Sequence, residues 1–237
     1  MTVTIRNNAF ETNSSSMHSI VVMKDKNRRY TKEEYENSMF IDKGVYNIYD
    51  EEELQFDRAP FRVLVAPGDK LKYAIASLCG PLSDRKDKAD AKLAEITAII
   101  RKYIPKLEKI NLPTDLVRLW VDEYDNLYEP WETAVDDDGV RRAVNPDTGD
   151  RVRVEIDRDF YDEICYGSVD HQSEFLLQNF LKDTGTSLED FLTMPKYIVL
   201  VDGDEYHEGE KLAHYGILNL ANAEIYDKGE HQNWMHG

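Results

Sequence analysis

Four short apolar runs along the chain have the pattern of buried β-strands. The first three are rich in β-branched residues, the last is a shorter segment, and turn-forming or polar residues bound them, such as Pro67-Gly68-Asp69 after the second run. The runs lie at residues 19–23, 61–66, 196–201 and 223–226. We expect these four strands to share one sheet, because strands need a common apolar layer to bury their faces.

Apolar residues spaced three or four positions apart predict the helices. Residues 71–78 follow the second strand directly, which indicates a strand, a turn and a helix. Further helical segments are predicted at residues 87–104 (ending before Pro105), 115–124, 168–182 (with Ser168 as the N-cap) and, as a short turn, 187–192.

Residues 128–156 have a different pattern, in which turn signals separate short strand-like segments. Asp138-Gly139 and the turn at residues 146–149 predict a β-meander or paired hairpins. The run Asp136 to Asp138 also suggests calcium, but it lacks the alternating ligands and distal Glu of an EF-hand loop. The sequence therefore predicts a single α+β domain over residues 1–237, with one mixed sheet, helices on one face and this meander as an excursion.

The chain is strongly acidic. It has 237 residues, with 29 lysines and arginines against 46 aspartates and glutamates, which gives a formal net charge of −17. This charge repels duplex phosphate, so direct nonspecific DNA binding is disfavoured. It suits a basic protein partner, a bound cation or mimicry of a nucleic-acid surface, although solubility alone also accounts for it.

The sequence favours a cytoplasmic protein that does not bind a membrane. Residues 1–13 contain no apolar stretch of signal-peptide length, and the purest apolar run, residues 197–201, is far too short to span a bilayer. Cys79 and Cys165 are too few for a disulfide scaffold and form no CxxC motif, so we expect reduced core thiols.

The most unusual polar segment, residues 11–19, lies immediately before and at the start of the first predicted strand. Eight of its nine residues carry hydrogen-bonding side chains. Hydroxyl and backbone N–H groups in such a loop can bind an anion, and the imidazole of His18 could activate a hydroxyl. The alternative is a Ser-rich turn whose side chains bond to their own backbone.

Residues 10–19, F-E-T-N-S-S-S-M-H-S, resemble the N-terminal signature F-E-T-N-S-S-S-x-H-S of a family of uncharacterised phage and bacterial proteins. Residues 166–173, Y-G-S-V-D-H-Q-S, resemble a D-H-Q-S segment of such proteins. The resemblance implies a phage or mobile-element setting, and hence a host cytoplasm. It implies no particular reaction.

Asp170 and His171 fall in the first turn of the helix predicted at residues 168–182, where backbone N–H groups favour an anion. Asp170 could simply cap this helix. Alternatively, His171 and Ser173 could face the N-terminal cluster and complete an acid–base site.

A third polar cluster follows the predicted strand at residues 196–201. Asp202, Asp204, His207 and Glu208 offer the oxygen and nitrogen ligands that a divalent cation takes, but their spacing matches no specific metal motif. An Asp-Gly turn with solvated acids explains the cluster equally well. The common nucleotide-binding, zincin and hydrolase-elbow motifs do not occur.

The leading functional prediction is a small polar pocket for a phosphate-bearing or similarly polar ligand, with hydrolysis or group transfer as its reaction if it is catalytic. The predicted catalytic residues are Ser14, Ser15, Ser16, His18, Asp170 and His171, with a histidine as base, Asp170 orienting it and a serine as nucleophile or anion donor. The predicted ligand contacts are Glu11, Thr12, Asn13, Ser19, Gln172 and Ser173. The alternatives are a non-enzymatic acidic protein that binds a basic host or phage partner, and a structural component of a virion.

Overall fold

The computed structural model describes residues 18–57, 62–83, 85–124, 126–128, 132–144, 148–171, 173–201 and 222–227. The chain divides into two compact units. The first contains Met1–Pro113 and Tyr166–Gly237, and the second contains Thr114–Cys165. Helices and strands both contribute to the described residues, which confirms the α+β class.

The described elements are numbered in chain order. The strands are β1 His18–Met23, β2 Ile41–Asp42, β3 Val45–Asn47, β4 Gln55–Phe56, β5 Arg62–Leu64, β6 Lys109–Asn111, β7 Thr114–Asp122, β8 Leu127–Tyr128, β9 Thr133–Val135, β10 Arg141–Val144, β11 Arg151–Ile164, β12 Ser168–Val169, β13 Tyr197–Val201 and β14 Ala223–Tyr226. The helices are α1 Lys32–Ser38, α2 Pro67–Cys79, α3 Lys86–Arg101, α4 Leu176–Thr184 and α5 Leu188–Thr193. None of these helices is long and apolar enough to cross a membrane.

The four strands that the apolar runs predict do share one sheet. Its order is β14-β1-β13-β5, and every neighbouring pair is antiparallel. His18 lies opposite Val201, and Val201 lies opposite Arg62. Because directly opposite residues in a sheet project to the same face, these three form one row across the end of the sheet.

The central strands β1 and β13 have buried residues on both faces, which explains why their sequences are almost continuously apolar. On the face of Tyr197 and Tyr226, Phe180 of α4 packs with ring centroids 5.7 and 5.4 Å away. The opposite face holds a separate buried cluster that comprises Val21, Met23, Ile198, Leu200 and Ala223. All five residues of β13 are buried.

The prediction of a single mixed sheet is not confirmed, because the described strands form four sheets. The four-stranded sheet is antiparallel throughout, and among the described strands parallel pairing occurs only between β12 and β4 and between β3 and β6. The additional sheets consist of short strands, several of which pair with strands far away in the sequence, and of the strands of the second unit. Short strands of two or three residues leave no apolar run in the sequence.

Two helix predictions are wrong. The spacing of apolar residues at 115–124 predicts a helix, but most of these residues belong to β7, which pairs antiparallel with β11. The pairing with a distant strand outweighs the local pattern, which also contains β-branched Val117 and Val121. In the segment 168–182, Ser168 belongs to a strand instead of capping a helix, and the helix begins only at Leu176.

The second unit contains the predicted meander, extended into a five-stranded sheet of order β8-β7-β11-β10-β9. Gly139, with φ of 77°, completes the turn between β9 and β10. Arg142 forms ion pairs with Asp136 at 2.5 Å and with Asp138 at 2.6 Å, and Arg151 also pairs with Asp136 at 2.7 Å. The acidic run is therefore a hairpin turn held by arginines.

Candidate functional site

His18, the first residue of β1, is the centre of a buried hydrogen-bond network and is 2% exposed. Its backbone N–H donates to Ser173 Oγ at 2.9 Å. Its Nε2 lies 2.9 Å from the carbonyl oxygen of Phe56, and its Nδ1 lies 3.2 Å from the hydroxyl of Tyr73. Since a carbonyl can only accept, we assign the ring proton to Nε2, and Nδ1 then accepts from Tyr73.

The His18 ring is uncharged at neutral pH in this environment. Burial lowers the pKa of His18 to about 4, although the Phe56 carbonyl and the Asp170 carboxylate act in the opposite direction. Both ring nitrogens are bound within the protein, so accepting a proton from a hydroxyl would break the contact with Tyr73. His18 thus connects β1, β4 and α2, and its role as a general base stays a prediction that this geometry does not favour.

The segment at residues 166–173 reaches this network because two glycines allow close backbone contact. Ser168 and Val169 pair in parallel with Gln55 and Phe56. A Cβ on Gly167, which has φ of 82°, would lie 2.4 Å from the carbonyl oxygen of Leu54. A Cβ on Gly80 would likewise lie 2.4 Å from the carbonyl oxygen of Gly167. Small residues at both positions therefore hold the segment against β4.

The predicted residues of this segment lie in two different environments. Asp170 is 5% exposed and Ser173 is 2% exposed, and both belong to the surroundings of His18. The side chain of His171 is 78% exposed, with its Nδ1 3.5 Å from Asp170 Oδ1. Asp170 and His171 precede α4, so the prediction that they form its first turn is wrong. A backbone bond from Ser173 to the Asp170 carbonyl forms a tight turn instead.

Many of the predicted site residues lie outside the described residues: Glu11, Thr12, Asn13, Ser14, Ser15, Ser16, Gln172, Asp202, Asp204, His207 and Glu208. Residue 17 is bonded to His18 and residue 202 to Val201, and these two strand residues are direct neighbours. Both polar segments are therefore attached to the same end of the sheet. Ser19 is half-buried, and it projects to the face opposite His18. The described residues contain no group of three metal-binding side chains.

A cleft with a volume of about 330 Å³ lies beside the His18 network. Its lining consists of Glu53, Phe56, Arg62, Val63, Leu64, Asp69 and Lys72. Phe56 belongs to both the His18 network and the cleft. Its carbonyl oxygen bonds to His18 Nε2, and Phe56 also lines the cleft. The ring centroids of Phe56 and Tyr73 are 5.2 Å apart, which links the cleft to α2 as well.

Four charged residues line this cleft, and sequence reasoning missed all of them. Lys72 and Glu53 form an ion pair at 2.5 Å. Burial raises the pKa of Asp69, although Lys72 and Arg62 act in the opposite direction. Asp69 and Lys72 are three residues apart on α2 and so lie on one helix face, a signal that could have indicated a polar site. Arg62 reaches the cleft because of the register in which β5 pairs with β13, and the sequence does not reveal this register.

Comparison with known proteins found no family model that matches the chain. It likewise found no matching curated protein and no matching solved structure. The resemblance of residues 10–19 and 166–173 to phage and bacterial proteins therefore stays a prediction. The functional assignment depends on the geometry of the site.

Proposed function

We propose that the protein binds a small, polar, phosphate-bearing ligand at the His18 end of the four-stranded sheet. The observation that supports this proposal is the hydrogen bond from the His18 N–H to Ser173 Oγ, which joins the two unusual polar segments at residues 11–19 and 166–173. The adjacent cleft, at about 330 Å³, has the size of a small-molecule site. Hydroxyl and amide side chains of residues 11–16 would supply further donors to an anion.

Binding is better supported than catalysis by His18, because that ring is neutral and bonded at both nitrogens. If the site carries out hydrolysis or group transfer, His171 is the better base. Its side chain is exposed, and Asp170 lies close enough to orient it. The phage-type accessory role implied by the resemblance belongs to the same proposal.

An NMR titration tests ligand binding directly. Inorganic phosphate and ethyl phosphate are added to the ¹⁵N-labelled full chain, and backbone amide shifts are followed. We expect the largest changes at His18, Ser173 and the residues that line the cleft. Ser173→Ala should weaken binding, while Ser83→Ala, at an exposed serine, should not. No shift at any concentration, or shifts scattered over the surface, would refute the proposal.

A second function, binding of a basic protein partner, is favoured by the distribution of charge. The unit Thr114–Cys165 contains 16 acidic residues, six arginines and no lysine. Its formal net charge is thus −10, out of −17 for the chain. A surface with one dominant sign of charge accelerates association with an oppositely charged partner, and salt weakens this attraction.

Poly-lysine serves as a defined probe for this second function. Neutralising Asp137, Asp150 and Glu155 to their amides removes three exposed charges from the second unit. The matched control neutralises Glu33, Glu52 and Asp87, which are exposed in the first unit. We expect the first triple variant to lose more affinity at low salt. Equal losses would show that net charge alone determines the binding.

A further inference from the structure

Arg62 presents an unpaired guanidinium to the cleft. It is the first residue of β5 and lies in the cross-strand row of His18 and Val201. Its guanidinium carbon is 5.9 Å from the centroid of the Phe56 ring. Among the described residues, no carboxylate forms an ion pair with it. A guanidinium offers a planar fork of donors that matches a phosphate group.

Asp69 is the corresponding anion, since no cation among the described residues forms an ion pair with it. It lies in the first turn of α2, is half-buried and lines the same cleft. Arg62 is near enough to act on its carboxylate electrostatically, yet the two side chains form no ion pair. Lys72, three residues later on the same helix face, also acts on this carboxylate electrostatically. Neither cation forms an ion pair with Asp69, so a ligand ammonium would be its first direct cationic partner among the described residues.

The other two charges of the cleft form an ion pair with each other. Lys72 Nζ is 2.5 Å from Glu53 Oε2, and both side chains are half-buried. This pair adds no net charge to the cleft. What remains is Arg62 and Asp69, one cation and one anion that form no ion pair with each other. A molecule that carries both charges would complement them.

We infer that the cleft binds a small zwitterion with a phosphate group and an amino group, with Arg62 binding the phosphate and Asp69 the ammonium. This inference rests on the proposed function and names the class of its ligand. An amino carboxylate has the same charge pattern and also fits a guanidinium fork, so the choice of phosphate comes from the proposed function, and β-alanine tests it.

Four probes of similar size separate the two charges: phosphoethanolamine, ethyl phosphate, ethanolamine and β-alanine. Affinities are measured by calorimetry or NMR on the full chain. We expect phosphoethanolamine to bind about tenfold more tightly than ethyl phosphate, because it also engages Asp69. Ethanolamine and β-alanine should bind more weakly than phosphoethanolamine.

Two variants assign the charges to their residues. Arg62→Gln should weaken both phosphate-bearing probes by about tenfold, and Asp69→Asn should remove only the advantage of phosphoethanolamine over ethyl phosphate. The controls are Arg153→Gln and Asp87→Asn, which alter charges outside the cleft. Amide spectra of each variant check that it folds. The ratio of the affinities of phosphoethanolamine and ethyl phosphate is also measured on the unmodified chain, so this part of the test does not depend on the folding of a variant.

The outcomes distinguish this inference from the proposed function. If ethyl phosphate binds the unmodified chain as tightly as phosphoethanolamine, or Asp69→Asn leaves their ratio unchanged, the inference is overturned while phosphate binding stands. If β-alanine binds as tightly as phosphoethanolamine, the assignment of phosphate is wrong. If no phosphate-bearing probe binds, the proposed function fails and the inference fails with it.

Discussion

Replacing Lys70 by Met should remove a pH dependence from the stability of the protein. Lys70 of α2 is fully buried, and its Nζ donates to the carbonyl oxygen of Met194 at 2.8 Å and to the Tyr30 hydroxyl at 3.4 Å. The ring centroids of Tyr30, Phe191 and Tyr197 lie 5.2, 5.0 and 5.8 Å from Nζ. Burial lowers the pKa of Lys70 well below its usual range, and no ion pair in the described part of the chain opposes this.

The size of the effect follows from proton binding. Between the lowered pKa of folded Lys70 and the unfolded value of about 10.4, the unfolded state holds more protons. The free energy of unfolding therefore rises with pH in this range, with a limiting slope of about 1.4 kcal/mol per pH unit for one proton. The destabilisation is absent above the unfolded pKa, grows as the pH falls, and is constant below the folded pKa.

The measurement is urea unfolding followed by circular dichroism at about pH 6.5, 7.5 and 8.5. Higher pH is avoided because burial raises the pKa of the Cys79 thiol to about 12, which gives a slope of opposite sign above its unfolded pKa of about 8.5. The control is Lys32→Met, since that side chain is 81% exposed. Lys70→Met should have the smaller slope, and the control should match the unmodified chain. Equal slopes for all three proteins would refute the reasoning.

Three further predictions concern the His18 network and the second unit. NMR should show His18 titrating near pH 4, and the contribution of His18 to the free energy of unfolding should fall by about 3 kcal/mol as the pH drops from about 6.5 to 4, because the unfolded state takes up the proton first. A ring pKa near 6.5 would contradict this. Gly167→Ala should destabilise the protein by more than the roughly 1–2 kcal/mol of a left-handed alanine, since its Cβ meets a carbonyl oxygen. Gly185→Ala is the control, because Gly185 also has a positive φ but its added Cβ would have nothing within 4 Å, so only the backbone effect is expected. Equal losses of stability in the two variants would show that the contact with the Leu54 carbonyl oxygen adds nothing. Asp122→Ala should speed hydrogen exchange at the two backbone amides that bond to this carboxylate, whereas Asp137→Ala should leave them unchanged.

The sequence by itself determined the four strands of the central sheet and most of the helices. Val21 and Ile198 belong to continuous β-branched runs, and a run that is apolar at every position indicates a strand buried on both faces. Pro67 begins α2 and Gly185, with φ of 67°, ends α4, because the conformations these residues favour are local properties.

Tertiary structure alone decided β7, the pairing of Ser168 with β4 and the surroundings of His18. The backbone of β7 is paired by β11, and that of Ser168 by Gln55, so neither strand can be identified from its own residues. The protonation of His18 depends on burial and on two partners from other elements. Arg62 and Asp69 meet at one cleft only because of the sheet register and the packing of α2. Such contacts join residues far apart in the chain, so the local pattern of polar and apolar residues cannot predict them.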